Sequence, residues 1–258
     1  MRFPKLKFDR LQIFAGEPKT IDIEGVAGTV TVKSPTMGDI IKIGEGRFYS
    51  TLSILVGNTT QARLILWNSG IDWCVISDFV YFTMRYKELD KEVVDLLFDD
   101  INFEDFDVYT RIKDDGSEEI FLYNEKTGVE ITELVYQYFH QYLQNVFDMK
   151  PEEEITKDRH LKEWWIRKDS VAAAQKEKKD EDSSFSFVPL ISMYINDEGT
   201  KHSLQDIKDG KVGVAEFFDS IKRIRVREHA KAVLSGIYSG FADTKNINPS
   251  EYDFARDI

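Results

Sequence analysis

The side chains through which this chain could do chemistry are four histidines, one cysteine and 46 carboxylates among 258 residues. Zinc chemistry needs ligands at short, regular spacing, but His140, His160, His202 and His229 form no His-x-x-x-His pair and have no cysteine partner. Cys74 stands between Trp73 and Val75, with no second cysteine for a disulfide and no histidine close in sequence. It reads as a buried small hydrophobe rather than a nucleophile or metal ligand. Phosphate binding by a glycine-rich loop is not signalled: no Gly-x-x-x-x-Gly-Lys-Ser/Thr occurs, and Gly38, Gly44 and Gly46 do not make a dinucleotide fingerprint. No Gly-x-Ser-x-Gly elbow is present. Carboxylates are too plentiful for a catalytic pair to be singled out, and Asp72, beside Trp73 and after Gly70, fits a turn or cap acid better than a cleft residue. The expectation is a protein that is not an enzyme and uses no cofactor or metal. One deep pocket with convergent carboxylates or histidines would revive an enzymatic reading.

Charge narrows the partners. With 46 acidic against 34 basic residues the formal net charge is −12, which disfavours nucleic-acid binding because that affinity is built on neutralising phosphates. The densest acidic stretch holds Asp90, Glu92, Asp95, Asp99, Asp100, Glu104, Asp105 and Asp107. Interleaved Val93, Val94, Leu96, Leu97, Phe98, Ile101, Phe103 and Phe106 favour a helix and turn with one packed face over a DNA-mimicking strip. The first residues carry charge without an apolar leader core, and no run approaches the roughly 18 apolar residues of a membrane span, so no membrane association and a cytosolic location are expected.

The elements that must position any site follow from periodicity and caps. In residues 1–35, three short alternating runs (11–14, 20–24 and 28–33) predict a β-meander. Thr36 with Asp39 forms a capping-box pattern for a helix carrying Ile40, Ile41 and Ile43, which Gly44 and Gly46 weaken before Phe48, Leu52 and Leu55 resume the stripe. Thr60 is placed to cap residues 61–68, with Gly70 at a left-handed C-cap, and Ser77 or Asp78 to cap a helix whose core stripe is Phe79, Phe82, Tyr86 and Leu89. Asp115-Gly116 between alternating runs predicts a hairpin near 106–123, followed by a turn at 126–128 and a helix capped by Thr132. That helix presents Leu134, Val135, Tyr138, Phe139, Tyr142, Leu143 and Val146.

After Pro151 a helix from about residue 157 offers Leu161, Trp164 and Trp165, then fades through residues 172–184, which hold no core-forming residue, into a charged stretch, 175–186. This is the linker between a mainly helical core (36–174) and a C-terminal helical subdomain (187–258). In that subdomain Pro189 suits a first helical turn, Ser203 and Asp206 cap a short helix that Gly210 ends, and a long helix begins near Val212. Asn248-Pro249 starts a last helical turn. The fold class expected is α+β, predominantly helical.

The long helix is the candidate contact element. Val214, Phe217, Phe218, Ile221, Ile224, Leu234 and Ile237 trace one face, while Lys222, Arg223, Arg225, Arg227 and Lys231 line much of the rest. Such a helix either packs internally with its charges solvated, or pairs with the acidic 88–107 stretch, or receives a partner. The candidate partner-binding residues are Phe217, Phe218, Ile221, Arg225 and Tyr238.

Ser34-Pro-Thr-Met-Gly-Asp-Ile-Ile41, Phe48-Tyr49, Leu66-Trp-Asn-Ser-Gly-Ile-Asp-Trp73, Ile76-Ser-Asp-Phe79, Gly236-Ile-Tyr-Ser-Gly240 and Lys245-Asn-Ile-Asn-Pro249, in this order, resemble a group of tail-module proteins from long-tailed phages and prophages of Gram-positive bacteria. The similarity extends over most of the chain and brings no active-site residues with it. It implies a tail assembly chaperone or baseplate hub assembly factor, binding the tape measure or hub in the cytoplasm of the bacterial host. Two other readings stay open: a structural baseplate or tail component retained in the virion, and an acidic decoy for a host DNA-binding or defence protein.

Overall fold

The protein is described by a computed structural model over residues 3–113, 115–178, 186–240 and 247–253. It is α+β, with 53% helix against 11% strand, so helices supply most of the core and the sheets brace it.

The first element corrects the sequence reading. Residues 11–14 alternate as a strand would, but Asp9 accepts hydrogen bonds from the amides of Leu11 and Gln12 and starts a helix, α1 (Arg10–Phe14). Four residues are too few for alternation to outweigh a cap. The expected meander is thus a two-stranded ribbon, β1 (Lys19–Ile21) antiparallel to β2 (Val30–Val32), in register Lys19 with Val32. Its third strand comes from far along the chain, β3 (Phe98–Asp99).

Thr36 and Asp39 close a capping box on α2 (Met37–Ile43), and Gly44, at φ +97°, breaks it and restarts the chain as α3 (Glu45–Val56). Next, α4 (Arg63–Asn68) begins later than the caps predict: the Thr60 hydroxyl accepts from the Glu154 amide (3.1 Å) instead of capping. Ser77 caps α5 (Asp78–Arg85) and Asp90 caps α6 (Lys91–Leu97). The hairpin forms as expected, β4 (Asp107–Ile112) with β5 (Glu118–Asn124), and β6 (Val129–Ile131) extends it into a second antiparallel sheet. Thr132 caps α7 (Glu133–Val146). There follow α8 (Arg159–Lys178), α9 (Val188–Ile195), α10 (Leu204–Lys208), with its Ser203/Asp206 capping box, and α11 (Val214–Tyr238), which runs through Gly236.

The main core condenses on α7. Tyr136 packs on Phe82 (ring centroids 5.0 Å apart), Phe139 meets Phe98 edge-on (5.4 Å), and Phe147 meets Phe48 (5.5 Å). The same apolar cluster continues through Tyr49 and Phe187 (5.3 Å) to Tyr194 and Phe217 (5.2 Å). Residues 187–221 therefore share a core with residues 30–147. The seven residues 179–185 of the sequence-predicted linker lie outside the described residues.

Backbone contacts hold the two halves together. The Met37 amide donates to Val212 O (3.0 Å) and the Val214 amide to Pro35 O (3.1 Å). Gly38 lies so close to α10 that a Cβ there would stand 2.6 Å from Ile207 O and 2.9 Å from Lys208 O, both backbone atoms. Gly38→Ala is expected to destabilise the fold by about 1–3 kcal/mol through this overlap. Gly46→Ala, facing open space, should be neutral or stabilising; urea unfolding of the two variants checks the pair.

Candidate functional site

The five residues proposed on α11 do not form one surface. Phe217 and Ile221 belong to the core and are withdrawn from any partner in this fold, and Phe218 is half-buried against Phe187. Arg225 is exposed, and Tyr238, 85% exposed, lies about 30 Å along the helix from Phe217. The basic residues of α11 do not reach the 88–107 stretch. Lys222 pairs with Asp148 (2.5 Å), Arg223 with Asp219 (3.6 Å), Arg227 with Asp197 and Lys231 with Glu228 (3.1 Å). The acidic stretch finds cations nearer by: Arg47 spans Asp90 (2.8 Å) and Glu92 (3.0 Å), while Lys33, Lys126 and Lys87 pair with Asp99, Asp105 and Asp107. It is in large part an ion-paired, solvated face, with Asp90 doubling as the cap of α6.

Two other features concentrate the chemistry. The first is a polar cleft of about 780 Å³ where α5 and α7 begin, walled by residues 58–60, 149–155 and the extended N-terminal segment. His140, 4% exposed, lies against it on α7. Its Nδ1 donates to Leu55 O (2.9 Å), so Nε2 accepts from the Gln144 amide (2.7 Å), and burial pushes its pKa down to about 4. Nδ1 thus ties α7 to α3, while the Nε2 bond stays within α7, where the Gln144 amide also donates to Val56 O of α3 (3.0 Å). Asp78 accepts from the Thr59 amide (2.8 Å), and burial raises its carboxyl pKa. Cys74 is half-buried at the same cleft rather than fully buried.

The second feature is the docking of α8 through charge. Arg63 is buried: its Nε and Nη2 reach the two oxygens of Asp169 (2.5 and 2.9 Å), its Nη1 reaches Glu154, and its guanidinium lies over the Trp165 ring. Lys162 meets Asp72 (2.5 Å), the turn acid, which also accepts from the Cys74 amide (3.0 Å). These pairs flank a small apolar cluster of Ala62, Leu66, Trp73, Tyr81 and Ile166, with Trp67 and Trp165 against it. The inward face of α8 is therefore Lys162, Trp165, Ile166 and Asp169. Leu161 and Trp164 point outward with Val171. Sequence carried no local signal for this, because Arg63 and Asp169 are 106 positions apart.

No protein-family model matches the chain, and neither a curated protein nor a solved structure matches it. Among the described residues no group of three His, Cys, Asp or Glu side chains could hold a metal ion, and no helix is long and apolar enough to cross a membrane.

Two outcomes test this geometry. Arg63→Met strands Asp169 and Glu154 and should destabilise the fold by about 3 kcal/mol in urea unfolding. His140, with its folded pKa below the ordinary 6.5, binds its proton more readily in the unfolded chain. Its contribution is whole above about pH 7, falls as pH drops through 6.5, and levels off below about 4, a total of about 3 kcal/mol. The difference in unfolding free energy between the natural chain and His140→Gln, measured from pH 7.5 to 4.5, should show that slope.

Proposed function

We propose that this chain is a non-enzymatic binding protein of phage tail morphogenesis that holds another tail component, tape measure or baseplate hub, during assembly in the host cytoplasm. The observation that carries the reading is the outer face of α8. Leu161, Trp164 and Val171 recur at helical spacing on one side of the helix, and Trp164 is 56% exposed with Lys168 stacked on its ring (5.6 Å). Arg63 and Lys162 clamp the opposite side, so the stripe is presented on a rigid support. An exposed tryptophan among aliphatic side chains on a fixed helix is the type of anchor around which protein interfaces concentrate their binding energy.

The chemistry of the face also describes its occupant. His160, Arg167 and Lys168 flank the stripe, and Glu163 is rotated about 100° away from Trp164. A helix with apolar anchors and flanking carboxylates complements this arrangement. The resemblance supplies the class of partner; the face supplies its pattern.

The test is capture of tape measure or hub protein by the tagged chain from prophage-induced cells. Trp164→Ala should reduce capture at least thirtyfold, about 2 kcal/mol, with little change in fold stability. Tyr238→Ala should leave capture unaltered. Undiminished capture by Trp164→Ala rejects the α8 face. Absence of the chain from purified virions supports an assembly factor; its presence there supports the structural reading.

A further inference from the structure

The central sheet has one covered edge and one open edge. Its strands run in the order β4, β5, β6, and on the β6 side the Glu130 amide donates to Ala27 O (2.8 Å). No strand lies beyond β4. At the hairpin end the Lys113 amide donates to Ser117 O (2.8 Å), and the pairing runs unbroken from Ile112 opposite Glu118 to Asp107 opposite Tyr123. Hydrogen-bonded and non-hydrogen-bonded pairs alternate along an antiparallel ladder, so Asp107, Tyr109 and Arg111 bond to β5, whereas Val108, Thr110 and Ile112 aim their amides and carbonyls away from it. Among the described residues nothing donates to or accepts from these outward groups.

The devices that usually blunt an edge are missing from β4. Its six residues include no proline or glycine, and Val108, Tyr109, Thr110 and Ile112 all favour strands. Its one cation, Arg111, is turned to Glu119 (2.7 Å) and Glu130 (3.0 Å) of its own sheet. Val108 is 48% exposed and Ile112 76%, on the face that β5 continues as Ile120 and the buried Leu122. An edge of this kind is a template for a further strand.

The residues of β4 match a second copy of the same strand. We propose that two chains associate by antiparallel pairing of β4 with β4 about a two-fold axis at Thr110, which joins the two three-stranded sheets into one continuous sheet. In this register Thr110 faces Thr110 of the other copy and Val108 faces Ile112, so every outward residue meets another outward residue and exchanges hydrogen bonds with it. A two-fold pairing centred on Tyr109 or on Arg111 leaves one of the three without a partner in the strand. The side chains agree with the register: Val108 and Ile112 cover each other, Tyr109 falls opposite Arg111, and Asp107 falls opposite Lys113. Both members of that last pair are exposed, Asp107 with Lys87 3.7 Å away and Lys113 beside Glu119 (2.8 Å). Opposite charges therefore meet on both sides of the axis, in a protein whose net charge of −12 opposes association through its surface at large.

Sedimentation equilibrium of the full chain across the micromolar range tests the assignment, and should resolve a 29.9 kDa monomer in equilibrium with a species of twice that mass. Thr110→Pro deletes an amide that points away from β5, so the sheet keeps its own bonds while the dimer loses its two central ones. Its dissociation constant should rise about thirtyfold, and circular dichroism reports whether the variant folds. Cysteines placed in a Cys74→Ser background read the register without removing an amide. Thr110→Cys should cross-link two chains under mild oxidation, whereas Val108→Cys, about 13 Å from its own copy, should not. A chain that stays monomeric throughout, which would leave the edge to a strand of another protein, overturns the proposal. So does a dimer indifferent to Thr110→Pro, or one that cross-links as readily through Val108→Cys as through Thr110→Cys.

Discussion

Burial of α7 is the constraint on which the rest of the structure depends. Its buried residues fall on more than one side of the helix: Val135, Tyr136, Gln137, Phe139, His140, Tyr142, Leu143 and Val146. Each large apolar side chain among them is worth roughly 1.5–3 kcal/mol when removed from water. A helix this deeply embedded needs neighbours all around it, and they come from the whole length of the chain. The sheet of β4, β5 and β6 leads into its start, α3 and α5 lie along it, and Phe98 reaches it from the end of α6. Phe147, just past its end, passes the cluster on through Phe48 and Tyr49 toward Phe187 and α11.

Embedding α7 also carries polar groups inward, and their satisfaction shapes the cleft. Burial keeps His140 neutral, Leu55 and Gln144 satisfy its two nitrogens, and Gln141 ties down the N-terminal segment. Gln137 accepts from Gln141, and Asp78 accepts from Thr59, so the polar groups beside α7 are met within the protein. The lobe of α4 and α8 solves a different problem. Its apolar cluster is small, so α8 is fixed largely by Arg63 and Lys162. Breaking a buried charge pair leaves a stranded charge, so such docking is rigid in place and orientation. Rigid docking of one face leaves the other, with Trp164, open to a partner.

Local chemistry was legible in the sequence where a cap or turn acts within a few residues. The Thr36/Asp39 and Ser203/Asp206 boxes, the Ser77 and Thr132 caps, the Asp115-Gly116 hairpin and the break at Gly44 were all readable from spacing. Long-range matches were not. Nothing near Phe98 announces that it completes the N-terminal sheet, and Thr60 looks like a cap until Glu154 claims its hydroxyl. The orientation of α8 is not legible in periodicity, because Lys162 and Asp169 count as polar there, yet ion pairing turns them inward. On α11 the apolar stripe was read correctly as a stripe, but pattern alone does not tell a core face from a docking face. The cleft was the least visible feature, since its walls come from residues 3–6, 58–60, 74–78, 133–145 and 149–155.

The most direct test of α7 as the organiser of one shared core is native-state hydrogen exchange read residue by residue. Amides of α7 and of residues 214–224 in α11 should exchange only through global unfolding, with the same free energy and the same denaturant dependence. Exchange of residues 214–224 at a distinctly lower free energy while α7 stays protected would contradict it, and would make the C-terminal helices a separately folding unit.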